Sequence, residues 1–133
     1  MSEPAGYSGT PLPKKLGIRP GMTLAVLGAP KGFAATLGEL PGGARLVRGR
    51  RGRCGLTIWF VRSGGELRRE VARSAAFAGD GGLWIAWPKK SSPLAAGFGR
   101  EEVREAGLGA GLVDFKVCAV DGDWSALRFA PRR

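Results

Sequence analysis

The sequence Leu83-Trp84-Ile85-Ala86-Trp87-Pro88-Lys89-Lys90 places five apolar residues in an unbroken run before a proline and two lysines. A run without polar alternation is typical of a strand buried on both faces, as in a parallel sheet covered by helices. Pro88 ends this predicted strand, so Lys89 and Lys90 follow its C-terminal end. Ligands of open α/β sheets bind at that edge. The stretch therefore predicts both an architecture and a place for a binding site.

The length of 133 residues fits a single domain. Residues 1–22 are rich in glycine and proline and are predicted to form an arm that docks on the body through Leu12, Leu16 and Ile18. Residues 23–133 are predicted to form the domain itself. No apolar segment approaches the ~20 residues that span a bilayer, and no signal sequence is evident. We therefore expect a cytoplasmic protein without a membrane partner, and its oligomeric state stays open.

The chain contains no histidine. Ser-His-Asp triads, Cys-His nucleophile pairs and histidine metal ligands are therefore excluded. Cys54 and Cys118 lie far apart in sequence, form no metal or redox motif, and are expected to be reduced thiols. No residue is assigned as catalytic or as a metal ligand. The net charge of +10 predicts attraction to anionic partners such as nucleic acid.

The periodicity of the remaining sequence predicts strands that alternate with helices. Ser63 and Glu66 form a capping box at the start of one helix. In the penultimate strand, Val113, Phe115, Val117 and Ala119 are expected to share one face, and Asp121-Gly122 predicts a hairpin turn after it. The predicted strands cover residues 24–27, 44–48, 56–61, 83–87, 113–119 and 124–130. We therefore predict a three-layer, Rossmann-like α/β fold with a mostly parallel sheet that ends in an antiparallel hairpin.

The segment Leu16–Met22 and the strand and loop Leu24–Phe33 resemble the entry to class I S-adenosylmethionine-dependent methyltransferases. The subgroup most similar methylates RNA and ends its first strand in a Gly-Ala-(Ala)-Pro-Gly-Gly-Phe loop. The resemblance implies a methyl-donor site around this loop. The chain departs from the family pattern at Val26 and Arg48, where carboxylates would bind the cofactor.

A second resemblance covers nearly the whole chain. Its motifs are Tyr7-Ser-Gly-Thr-Pro-Leu, the Trp87-Pro-Lys-Lys box and Val117-Cys-Ala-Val-Asp followed by Trp124-Ser125. They resemble a small bacterial family of unknown function, whose members are short cytoplasmic proteins. This resemblance implies no mechanism.

The candidate binding site is a crevice that opens between two strand ends if the strand order reverses beside the first strand. The loop Gly28–Gly32 and the segment Arg62–Gly65 would face it, and two helix N-termini with nearby lysines would suit a phosphate or a carboxylate. The alternative is that the loop Gly28–Gly32 is only a tight turn and that the nearby lysines are solvated. The candidate ligand-binding residues are Gly28, Ala29, Pro30, Lys31, Gly32, Arg62, Ser63, Trp87, Lys89 and Lys90.

Three further features have two interpretations each. The arginine run Arg48–Arg53 is expected to be a charged cover on an edge strand, with nucleic-acid contact left open. Trp59 and Trp84 are expected in the core, which leaves Trp87 as the tryptophan to test as a ligand contact. The two aspartates Asp121 and Asp123 are assigned to the turn and not to catalysis.

These observations favour a non-catalytic binding or regulatory module that recognises an anionic partner at a basic edge of the sheet. The partner would be a nucleotide, a nucleic acid or an acidic protein. No cofactor is expected on this interpretation. The alternative is an enzyme, a divergent S-adenosylmethionine-dependent methyltransferase or another nucleotide-dependent enzyme, which would hold S-adenosylmethionine or a nucleotide as its cofactor.

Overall fold

The computed structural model describes residues 10–50, 52 and 54–132. Six strands form one sheet in the order β2-β1-β3-β4-β6-β5. The strands β1 to β4 are parallel, whereas β6 is antiparallel to both β4 and β5. The strands are β1 (Thr23–Leu27), β2 (Arg45–Arg48), β3 (Leu56–Phe60), β4 (Gly82–Pro88), β5 (Leu112–Ala119) and β6 (Trp124–Pro131).

Helices cover both faces of the sheet and complete three layers. The short helices pack with one apolar cluster, which includes Leu16 and Phe33, and the longer helices pack with the other, which includes Leu67 and Val103. The helices are α1 (Leu12–Leu16), α2 (Phe33–Leu37), α3 (Gly64–Ala78) and α4 (Arg100–Gly109). The predicted three-layer, Rossmann-like fold with an antiparallel end is confirmed.

The two central strands are buried along their length. Every residue of β3 is buried, and so is β4 from Leu83 to Pro88. The unbroken apolar run that begins at Leu83 is therefore buried on both faces, as predicted. Strands flanked by two helical layers have no solvent-exposed face. Trp84 at the centre of the run is fully buried.

The segment that precedes β1 packs on the sheet. Leu16 and Ile18 are buried. The indole N–H of Trp84 donates to the carbonyl of Leu16 at 2.9 Å, and the Arg128 guanidinium reaches the same oxygen at 3.3 Å. Burial lowers the pKa of Arg128, and the positive charge of Arg19 lowers it further. Residues 1–9 of the predicted arm lie outside the described residues.

The expectation that Val113, Phe115, Val117 and Ala119 share one face is wrong. A bulge between Asp114 and Lys116 shifts the register of β5 against β6. Val113 pairs with Ala130 and Val117 with Leu127, an odd spacing that puts the two valines on opposite faces of the sheet. The side chains of Val113, Phe115 and Val117 are exposed.

None of the helices in the described part of the chain has the length and apolar character needed to cross a membrane.

Candidate functional site

The strand order reverses beside β1. The chain leaves β1 to form β2 on one side and then crosses to form β3 on the other side of β1. Connections that diverge in this way leave an opening at the C-terminal ends of the two strands. We call the space between residues 28–32 and 62–65 the crevice. Its predicted position rests on a strand order that the structure confirms.

The loop after β1 forms one wall of the crevice. Gly28 has a φ of 67°, in the left-handed region, and a Cβ there would lie 3.1 Å from the Phe60 carbonyl oxygen. Glycine is therefore required by the close approach of the two chain segments. Ala29 packs against the apolar cluster, Pro30 accepts the first hydrogen bond of α2, and Lys31 is exposed.

The helix that follows this loop is short. Gly32 is its N-cap with a φ of 85°, and α2 then runs for only five residues. Two helix N-termini, capped by Gly32 and Ser63, therefore border the crevice, and the shorter helix contributes less because a helix of little more than one turn has few aligned peptide dipoles. Of these two helices, α3 is the longer, with 15 residues, and brings the stronger N-terminal dipole to the crevice.

The opposite wall is built by the end of β3 and the start of α3. The hydroxyl oxygen of Ser63 accepts the amide of Glu66 at 3.0 Å, and the Glu66 carboxylate accepts the amide of Arg62 at 2.8 Å. The serine cap is confirmed, whereas Glu66 reaches the amide of Arg62, one residue before the N-cap, and not the Ser63 amide of the predicted capping box. The Arg62 guanidinium donates across the crevice to the Gly28 carbonyl at 2.6 Å and lies 5.4 Å from the centre of the Trp124 ring. The two walls are thus joined by an exposed arginine.

The crevice continues into a groove beside α3 with a volume of about 430 Å³. Arg50 spans this groove and donates to the Ser74 hydroxyl at 3.1 Å, with the Glu70 carboxylate at 3.6 Å. The groove is lined by Leu27, Gly28, Arg50, Trp59, Ser63, Glu66, Arg69 and Glu70.

Sequence reasoning missed the two residues that shape the groove. Arg50 belongs to the run that was expected to be a solvated cover, but it packs on α3; Arg51 and Arg53 lie outside the described residues. Glu70 has the i,i+3 spacing to Arg73 that is typical of an exposed helix face, and in the structure it contacts both Arg73 and Arg50. No local sequence pattern could have predicted the contact between Arg50 and Glu70, because 20 residues separate them.

The strand ends beside the crevice carry no carboxylate. Val26 is buried and pairs with Arg48 in the parallel register of β1 and β2. Arg48 is exposed at the end of β2. The acids of this region are instead Glu66 and Glu70, on the first two turns of α3.

Trp87, Lys89 and Lys90 lie at a different place from the crevice. They line a cavity of about 710 Å³ at the start of α4, which includes no residue of 28–32 or 62–65. The structure therefore divides the ten candidate residues between two sites. We call the second one the α4 cavity; its remaining lining residues are Ala95, Gly97, Phe98, Gly99, Arg100, Glu101, Glu102 and Ser125.

The remaining candidates are structural. The Asp121 carboxylate accepts the amides of Asp123 at 2.8 Å and Trp124 at 3.0 Å, as the turn assignment predicts. The turn is longer than two residues, because β5 ends at Ala119 and β6 begins at Trp124. Within residues 10–50, 52 and 54–132, no three Asp, Glu or Cys side chains come together as metal ligands would.

Comparison with protein-family models gives no match, and comparison with curated proteins gives none either. Solved structures do match. A ribosomal protein L11 methylase from Lactobacillus delbrueckii subsp. bulgaricus superposes with a TM-score of 0.60 at 12% identity, over 92% of this chain and 76% of that one. Magnesium protoporphyrin IX methyltransferase from Synechocystis PCC 6803, solved with bound SAH, gives 0.57 at 10% identity, over 86% and 75%.

A third structure is an O-methyltransferase family 2 protein from Planctomyces limnophilus DSM 3776 in complex with apigenin. It gives a TM-score of 0.57 at 13% identity, over 83% of this chain and 50% of that one. The chain thus spans half to three quarters of the length of these structures. The fold is that of class I S-adenosylmethionine-dependent methyltransferases.

These structures correct the expectation that no cofactor is involved. The Synechocystis enzyme holds SAH within the same fold. The expectation rested on the missing carboxylates at Val26 and Arg48, and it gave no weight to acids supplied by a neighbouring helix.

Proposed function

We propose that this chain binds S-adenosylmethionine in the crevice and is a divergent methyltransferase of the class I type. The observation that carries the proposal is the coincidence of the topological switch point beside β1 with a glycine loop held in a left-handed conformation. The fold of solved methyltransferases supports it.

The residues around the crevice fit the cofactor by charge. The exposed Lys31 and the amides of the loop 28–32 suit its amino-acid carboxylate. Glu66 and Glu70 suit its ammonium group and its ribose hydroxyls. The groove volume of about 430 Å³ lies within the range of small-molecule sites. In this arrangement α3 supplies the acids that the ends of β1 and β2 lack.

The bound cofactor supplies a methyl group activated by its sulfonium. The chain's own contribution is to bind and orient it. Arg62 holds the two walls at a fixed spacing through its bond to Gly28, and Ser63 with Glu66 fixes the start of α3. Because no histidine is available, a proton of the methyl acceptor would have to leave to a carboxylate, a lysine or water.

A second candidate function is the non-catalytic module that recognises an anionic partner. The observation that favours it is the cationic character of the crevice mouth, where Arg62, Lys31 and Arg48 are all exposed. On this proposal the crevice prefers a nucleotide phosphate to the positively charged sulfonium.

Thermal unfolding with added ligands separates the two functions. S-adenosylmethionine at about 100 times its Kd should stabilise the domain by about 2.7 kcal/mol and raise Tm by roughly 10 °C. Glu70→Gln should weaken this binding at least tenfold, whereas Glu105→Gln on the exposed side of α4 is the matched control and should leave it unchanged. Transfer of a labelled methyl group to candidate acceptors then tests catalysis.

No rise in Tm with millimolar S-adenosylmethionine or S-adenosylhomocysteine would refute the methyl-donor site. A rise with ADP or NADP alone would instead support the anion-binding module. Equal binding of S-adenosylmethionine by Glu70→Gln and Glu105→Gln would show that Glu70 is not part of the site.

A further inference from the structure

The α4 cavity lies apart from the crevice and has walls of mixed character. Trp87 and Phe98 provide aromatic surface and are each more than nine-tenths buried. Ala95 adds an apolar side chain at the entrance. With a volume of about 710 Å³, the cavity is of the size that holds small organic ligands.

An indole N–H opens on this cavity without a protein partner. Trp87 is 7% exposed, and no group in the described part of the chain accepts a hydrogen bond from its indole N–H. A Cβ on Gly99 would lie 4.0 Å from that nitrogen, so the glycine leaves the space in front of it open. By contrast, the indole of Trp84 is satisfied by Leu16. Because the space in front of this N–H is open, a ligand oxygen in the cavity can accept its hydrogen bond in place of water.

The start of α4 adds further donors to the same cavity. Its N-cap is Gly99, which has no side chain to accept the amides of the first turn, whereas Ser63 does so at the start of α3. The Glu102 carboxylate is turned back to accept the Gly99 amide at 2.9 Å. The open amides of the first turn favour an anionic oxygen.

The charged residues around the opening have a cationic excess. Three cations, Lys89, Lys90 and Arg100, stand against the carboxylates of Glu101 and Glu102. The hydrogen bond to Gly99 and the neighbouring Lys90 lower the pKa of Glu102, which keeps it ionised at neutral pH. A ligand with an apolar body and one negative charge matches this combination of aromatic wall and donors.

We propose that the α4 cavity is a second binding site, which takes a small aromatic carboxylate with its ring against Trp87 and Phe98 and its carboxylate at the indole N–H and the start of α4. The proposal does not depend on what binds in the crevice.

The indole resonances of the intact protein test the site. Of the four tryptophans, Trp87 is assigned in a ¹H–¹⁵N correlation spectrum as the indole signal that disappears in Trp87→Phe. Naphthalene-2-carboxylate is the probe, and naphthalene-2-carboxamide is its neutral counterpart. We expect the acid to shift the Trp87 indole signal saturably with a Kd on the order of 1 mM or lower. The carboxamide should bind roughly tenfold more weakly.

Two pairs of variants locate the binding. Gly99→Val places a side chain before the indole N–H and should abolish the shift, whereas Gly109→Val at the far end of α4, with nothing within 4 Å of its Cβ, should not. Lys90→Gln should weaken binding several-fold, whereas Lys116→Gln on β5 is the control. Spectra without ligand establish that each variant is folded.

The proposal is overturned if the Trp87 signal does not move, if acid and carboxamide bind equally, or if Gly99→Val binds like the parent chain. A shift confined to the Trp124 or Trp59 indole would place the probe in the crevice and groove, which also overturns it.

Discussion

Replacing Gly107 by alanine is expected to destabilise the domain by about 2 kcal/mol. Gly107 lies on the buried side of α4, where the helix packs against β6. A Cβ there would overlap the ring of Phe129, with two ring atoms at 2.7 and 2.8 Å and a third closer still. Carbon atoms in ordinary contact lie about 3.5–4.0 Å apart. The ring or the helix must therefore move by on the order of 1 Å.

The magnitude follows from two opposing contributions. Phe129 is fully buried, so its ring can move only against neighbouring core side chains. Overpacking of this kind typically costs about 1–3 kcal/mol. Because three ring atoms overlap the new Cβ, the cost of Gly107→Ala lies at the upper end of this range. Alanine in a helix gains about 1 kcal/mol over glycine, which leaves the net loss of about 2 kcal/mol. At about 4 °C per kcal/mol for a chain of this size, Tm falls by roughly 8 °C.

Urea or thermal denaturation followed by circular dichroism measures this loss. Gly109→Ala on the same helix is the control, because nothing lies within 4 Å of its Cβ, and it should be neutral or slightly stabilising. In a Phe129→Leu background, Gly107→Ala should cost less than in the parent chain, because the two positions are coupled. Equal stability of the Gly107→Ala and Gly109→Ala proteins would refute the argument.

Three further predictions concern caps and titratable groups. Ser63→Ala should lower the free energy of unfolding by about 1 kcal/mol, because the Glu66 amide loses its acceptor at 3.0 Å, and urea denaturation measures it. Burial raises the pKa of the Cys118 thiol, so its reaction with a disulfide reagent should be slow at pH 7 and accelerate only as pH rises; a rate as fast as that of a free thiol would contradict this. The lowered pKa of Glu102 means that its contribution to the start of α4 is present above the ordinary carboxyl pKa and is lost as pH falls through the lowered value, which a carboxyl-detected NMR titration would show.

Local sequence patterns predicted much of the fold. The apolar run from Leu83 needs two covered faces, and the serine and glutamate at positions 63 and 66 are close enough in sequence to cap a helix by themselves. The Asp121 turn is likewise local, since its carboxylate binds amides two and three residues later. In each case the partners are neighbours in the chain, so the pattern alone is sufficient.

The sites were predicted less completely, because their contacts join distant parts of the chain. The bond from Arg62 to Gly28 spans 34 residues, and that from Arg50 to Ser74 spans 24. The sequence placed Trp87 and the two lysines beside the crevice, whereas the fold gives them a cavity of their own. Which strand ends share an opening depends on strand order, and strand order is a property of the packed sheet.

The sequence by itself determined that β4 is a buried strand with lysines after its end, that Ser63 caps the start of α3, and that the chain contains no histidine for catalysis. The tertiary structure alone decided that β1 lies between β2 and β3, that the bulge turns Val113 and Val117 to opposite faces, and that Trp87 opens into the α4 cavity. The physical reason is that periodicity and capping act within a few residues. Strand neighbours, register shifts and cavities depend instead on how whole elements pack, and the burial of one element against another is settled only when all of them are in place.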